Sequence, residues 1–236
     1  MANPLLKEDV FRSNASDGEL MTVSGTVNKS IILWLLLAVS AVFSWMNPHI
    51  TLPLLLPMII MGFVLAMISI FKKTASPFIS PFYAIAEGLI LGVISLYFEK
   101  AYPGIVINAI LLTIAVLFCM LAAYKSGVLR ATPRFKKGVV IATLSIAVVY
   151  IIDLCMNIFA GTNFPYLHES SFLGICISLF IVTIASFNLI LDFDLIENGA
   201  RQGAPKYMEW YGAFALMVTL VWLYLEILRL LAKIRN

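Results

Sequence analysis

The chain has 236 residues, of which 61% are hydrophobic and 12% charged, about half the charged share of an ordinary soluble domain. A mean hydropathy of +0.98 excludes a soluble globular protein. The same composition excludes a disordered chain, which needs low hydrophobicity and high net charge. The net charge of +3, with basic residues scattered along the chain, argues against a nucleic-acid partner.

Residues 1–30 are polar and mixed in charge. They read as a cytosolic N-terminal tail, followed by a single transmembrane domain over residues 31–236. A secretory signal would place its apolar core sooner and end at a small-residue cleavage site. The first apolar run, Ile31 to Met46, is therefore an uncleaved span, with Trp34 and Trp45 near its ends as interfacial anchors. Further spans are expected at Leu54–Phe71, Phe82–Phe98 after Pro81, Gly104–Ala123, Gly138–Ala160, Ser171–Leu191 and Trp210–Leu228. The runs are continuously apolar rather than alternating, so they predict helices and not barrel strands. The fold class is an all-α polytopic membrane protein with seven transmembrane helices.

Cys119, Cys155 and Cys176 fall inside apolar runs and read as small buried hydrophobes, not as a disulfide framework. His49 and His168 lie in separate loops, which gives a histidine metal site little to build on. No cofactor is expected.

Basic residues set the orientation. The N-terminal tail and the second–third, fourth–fifth and sixth–seventh connections hold 12 of the 16 Lys and Arg. This places the N-terminus in the cytosol and the C-terminus outside. Arg229, Lys233 and Arg235 resist that assignment, and a re-entrant seventh segment would put them inside. Ala84, Gly88 and Gly92 recur at every fourth position of the third span, where another helix can approach closely. Glu87 then flanks the packed face and looks into the bundle.

A charge at mid-bilayer costs at least about 2.5–3.5 kcal/mol, so acids inside spans need an explanation. Glu87 should lie about 8 Å inside the third span, and Asp153 about 22 Å along the fifth, towards the outside. Asp192 and Asp194 should close the sixth span near the cytosolic face. Glu209 and Glu226 sit at either end of the seventh. Asp194, Glu197 and Glu209 read most simply as solvated interfacial charges. Asp153 divides evenly between a structural and a functional acid, and Glu87 and Asp192 lean towards function. Two carboxyls close together in a poor dielectric cannot both ionise easily, so they can share a proton or accept a cation. Calcium favours several oxygen ligands of this kind.

The run Asn188-Leu-Ile-Leu-Asp192-Phe-Asp194-Leu-Ile196-Glu197 resembles the sixth-helix ending of the Bax inhibitor-1 family. The run Glu87-Gly88-Leu-Ile-Leu-Gly92 and the closing Leu223-Tyr-Leu-Glu226-Ile-Leu-Arg229-Leu-Leu are similar to that family too. The likeness covers nearly everything after residue 25, and its branch looks bacterial, which implies the cytoplasmic (inner) membrane. It implies seven helices with the last one central. It also implies a pH-sensitive calcium leak, gated by an aspartate pair from the sixth and seventh helices. Asp192 takes the first position and Glu226 the second, with Glu in place of Asp, and both become implied calcium ligands. The seventh helix poses a geometric difficulty. From Trp210, Glu226 is about 24 Å along a straight helix, whereas Asp192 would be at the cytosolic end. Glu87 or Glu209 is then an alternative partner for Asp192.

Two functions compete. One is a passive, proton-regulated cation leak. The other is a non-catalytic regulator that binds a membrane protease or another membrane complex, with the polar tail as a contact. An enzyme is not expected. Asp153 and Asp192 lack the Tyr-Asp and Gly-x-Gly-Asp settings of intramembrane aspartyl proteases, and no Gly-x-Ser-x-Gly or His-Glu-x-x-His run appears. The seventh span carries no interior lysine, which argues against a retinal receptor.

Overall fold

The computed structural model describes residues 19–162, 164, 167 and 169–236. Seven principal helices follow one another: α1 Val23–Met46, α2 Leu55–Phe71, α3 Ser76–Ala101, α4 Ile105–Lys125, α5 Pro133–Ala160, α6 Phe172–Arg201 and α7 Met208–Arg235. Six are long and apolar enough to cross a membrane, and α2 is a shorter apolar helix of 17 residues. At 1.5 Å per residue α2 still rises about 26 Å. The chain is an all-α polytopic membrane protein, and large side chains such as Phe63, Phe118, Leu144 and Phe159 face outward into lipid.

Most helices outrun their apolar cores. α1 starts eight residues before Ile31, because Thr22 caps it by accepting from the Gly25 N–H at 2.9 Å. α3 starts at Ser76 and carries Pro81 inside it. Membrane helices tolerate such a proline where neighbours re-satisfy the freed backbone. α6 continues ten residues past Leu191, through the Asp194–Asn198 hydrogen bond and the Glu197–Arg201 pair one turn further on. Asp192 therefore lies nine residues, about 14 Å, before the end of its helix and not at it. Glu87 likewise lies eleven residues, about 16 Å, past the start of α3.

The buried face of α1 is Thr26, Ser30, Leu33, Leu37, Ser40 and Ser44, a spacing of four and three that keeps one seam against a partner. That partner is α3, through Gly88 and Gly92, with Ala84 buried on the same stripe. The Ser44 hydroxyl crosses the seam to donate to the Leu89 carbonyl at 2.7 Å. The small-residue stripe thus packs as its spacing predicts. α7 is central: it touches α1, α3, α4 and α6, and its buried residues, from Glu209 to Lys233, run round the helix, as a core helix requires. α2 leans on α3, and α5 on α6.

α7 crosses the whole bundle and does not re-enter. Its first turn meets Thr22 at the start of α1. Near its far end, Lys233 donates to the Gly174 carbonyl (3.0 Å) and the Ser178 hydroxyl (2.7 Å) at the start of α6. Arg235 reaches the Pro103 carbonyl in the α3–α4 connection. The three basic residues that argued for re-entry are thus held by protein groups, with Arg229 paired to Glu226. One expectation fails: Cys119, Cys155 and Cys176 are free but exposed. In a bilayer a small apolar side chain is solvated by lipid, so hydropathy alone does not turn it inward.

Candidate functional site

The acids of the bundle divide by what each one meets. Glu209 is fully buried, not a solvated surface charge. Its Oε1 accepts from the Thr22 N–H (3.0 Å) and the Thr22 hydroxyl (2.9 Å). A carboxylate at the start of α1 complements that helix's positive end. Gly25 makes the approach possible, since a Cβ there would lie 2.0 Å from Glu209 Oε1. Lys206 bridges Glu209 and Glu19, at 3.3 Å to each. Exposed in the α6–α7 connection, Lys206 is held above the ordinary lysine range first by its hydrogen bond to Glu209, then by Glu19. Its contribution is complete below that ordinary range and fades as pH rises through the raised value.

The start of α1 is tied to the α6–α7 connection again by the Met21 N–H, which donates to the Ala204 carbonyl at 2.7 Å. Thr22→Val should cost about 1–2 kcal/mol, the usual worth of an N-cap. It should also speed amide exchange at residues 23–26, which hydrogen–deuterium exchange would detect. Unchanged protection there would mean that Thr22 holds nothing.

Asp194 pairs with Lys136 of α5 and accepts from Asn198 at 2.8 Å. Glu197 accepts from the Tyr124 hydroxyl of α4 at 2.5 Å and pairs with Arg201. Asp153 accepts from the Phe164 N–H at 2.8 Å, so it ties down the α5–α6 connection. Glu87 lies half-buried beside Tyr83, with Oε2 3.8 Å from where a Cβ on Gly62 would be. It therefore looks towards α2 and not into the centre. Tyr83 in turn rests edge-on against Phe214 of α7, 5.0 Å between centroids.

Glu226 is 1% exposed. Its Oε1 accepts from the Tyr150 hydroxyl (2.8 Å), the Trp222 indole N–H (3.1 Å) and Arg229 (3.1 Å). Asp192, like Glu209 at its Oε2, leaves one buried carboxyl oxygen without a hydrogen-bond partner. Thr219 of α7 faces Asp192, and the Asp192 Oδ2 is shut from solvent with no partner. Thr219 and Glu226 are seven residues apart on α7, a rise of about 10 Å. Thr219, which faces Asp192, and Glu226 thus stand about two turns apart along one face of the central helix. Among the described residues, no three His, Cys, Asp or Glu gather as a metal site. His168 lies outside the described residues.

Sequence reasoning missed Thr219, Tyr150, Tyr124 and Lys233. Thr219 and Tyr150 are ordinary members of their apolar runs, Tyr124 lies just past the fourth, and Lys233 reads as a tail charge until the partner helix is known.

Residues 3–236 match the family model described as Bax inhibitor 1 like. No curated protein and no solved structure matches the chain.

Proposed function

The chain belongs to the Bax inhibitor 1 like family, and from that premise we propose a non-enzymatic, proton-gated cation leak, calcium being the cation, with Asp192 as the gate. The observation that carries this reading is the half-satisfied carboxyl of Asp192 in the α6–α7 seam. Ionised, it would hold an unpartnered oxygen in a water-free place, at a cost of several kcal/mol. The Lys136 and Tyr124 groups that face α6 are taken by Asp194 and Glu197, so neither answers that charge. A neutral Asp192 keeps α6 and α7 together. Loss of its proton is relieved when the seam parts and admits water and a cation. Acid therefore closes the pathway, and rising pH opens it.

The N-terminus is assigned to the cytosol and the C-terminus to the outside of a bacterial cytoplasmic membrane. The start of α1, the α2–α3 connection and the start of α7 share one end: Thr22 meets Glu209, and Lys73 lies 5.2 Å from the Tyr211 ring. The α4–α5 connection joins them through Tyr124 and Glu197. That end carries most of the Lys and Arg, as cytosolic loops do.

Calcium flux from liposomes tests the reading. Flux should fall as pH falls, and Asp192→Asn should be slow at every pH, because its amide cannot ionise. Flux indifferent to both pH and Asp192→Asn removes the gate.

A further inference from the structure

We propose that the groove between α1 and α4 binds an anionic phospholipid from the bilayer, a site separate from the Asp192 seam. α1 and α4 both pack on α7 but not face to face with each other. The space they leave holds two cavities, of about 650 and about 1240 Å³. These share Trp34, Ala38, Leu117 and Leu220 in their walls, so together they form one groove. On α1 it runs from Val23 to Trp45, about 33 Å, or roughly the full hydrocarbon thickness of about 30 Å. A groove of that length inside the membrane is long enough for a whole acyl chain.

The two ends differ in chemistry. The half towards Trp45 is lined almost wholly by apolar groups, among them Val42, Val106, Ile110 and Ile114. The half towards Val23 carries Lys125, Arg130, Arg201, Asp194 and Glu197. Asp194 is neutralised by Lys136, and Glu197 by Arg201. The surplus charge is Lys125 with Arg130, whose Nε donates to the Gly127 carbonyl at 3.3 Å. Two cations at the head-group level and an apolar trough beyond them fit an anionic head group and its tail. A zwitterionic lipid would satisfy only the trough.

Tryptophan quenching reads the site directly, because Trp34 lines its middle. The full chain, with Trp45, Trp210 and Trp222 changed to Phe, is placed in phosphatidylcholine vesicles containing a small share of lipid brominated on its acyl chains. Brominated phosphatidylglycerol should quench Trp34 at a mole fraction about thirtyfold lower than brominated phosphatidylcholine, given two cations at about 1 kcal/mol each near the surface. Lys125→Gln with Arg130→Gln should erase that preference, and Ala38→Leu should weaken quenching by both lipids. Equal quenching by the two lipids in the protein with both cations intact would overturn the proposal. So would a preference that survives loss of Lys125 and Arg130.

Discussion

Gly88→Ala is expected to destabilise the protein, whereas Gly138→Ala is expected to leave it unchanged or stabilise it. Both glycines are in helices, and alanine is favoured there by up to about 1 kcal/mol. The difference lies in what the new methyl meets. At Gly88 a Cβ would lie 2.0 Å from the Ser40 hydroxyl and 2.3 Å from the Leu37 carbonyl oxygen. The hydroxyl can turn away, but the carbonyl belongs to the backbone of α1 and cannot. α1 and α3 would have to separate along their most extensive seam. Overpacking of this kind costs about 1–3 kcal/mol, and more where backbone must move. At Gly138 nothing lies within 4 Å, so only the propensity gain remains. Thermal unfolding of the two variants in the same detergent should move in opposite directions, or in one direction only for Gly88→Ala. Adding Ser40→Ala to Gly88→Ala should not restore the loss, since the carbonyl contact stays.

Arg229→Met should cost far more than Glu226→Gln, although the two residues form one ion pair. Glu226 is 1% exposed, while the Arg229 side chain is 44% exposed. Removing arginine leaves a buried carboxylate with only the Tyr150 and Trp222 donors. Breaking a buried pair in that way costs about 3–5 kcal/mol. The expected loss is therefore about 3–5 kcal/mol. Glu226→Gln leaves a neutral amide that still accepts from Tyr150 and Trp222, and its arginine reaches solvent. Its cost should stay near a single hydrogen bond, about 1 kcal/mol. Equal losses for the two variants would show that burial does not set the balance.

The spans were legible because hydropathy integrates over about 20 residues, and the Ala84, Gly88, Gly92 stripe because close helix packing has a short repeat. Helix ends were not legible. They are set by single contacts, such as the Thr22 cap and the Glu197–Arg201 pair, that leave no apolar trace. The burial of Glu209 depends on Thr22, 187 residues away, and no local pattern announces it. The three cysteines faced lipid because an apolar run reads the same whether its neighbour is protein or hydrocarbon. Lys233 looked like a tail charge, yet the start of α6 supplies its acceptors. The central position of α7 came from family resemblance, and its burial all round the helix bears that out. Asp192 stood out as an acid next to an apolar run. What sequence could not tell is that it faces Thr219 with one oxygen left over.

That leftover oxygen makes a parallel titration the sharpest test. The infrared band of a protonated carboxyl that is missing from Asp192→Asn would be followed against pH in liposomes, alongside calcium flux from the same preparation. The band should fade and the flux should rise with a common midpoint. Flux that switches with pH while that band stays constant, or that switches unchanged in Asp192→Asn, would place the proton control elsewhere in the protein.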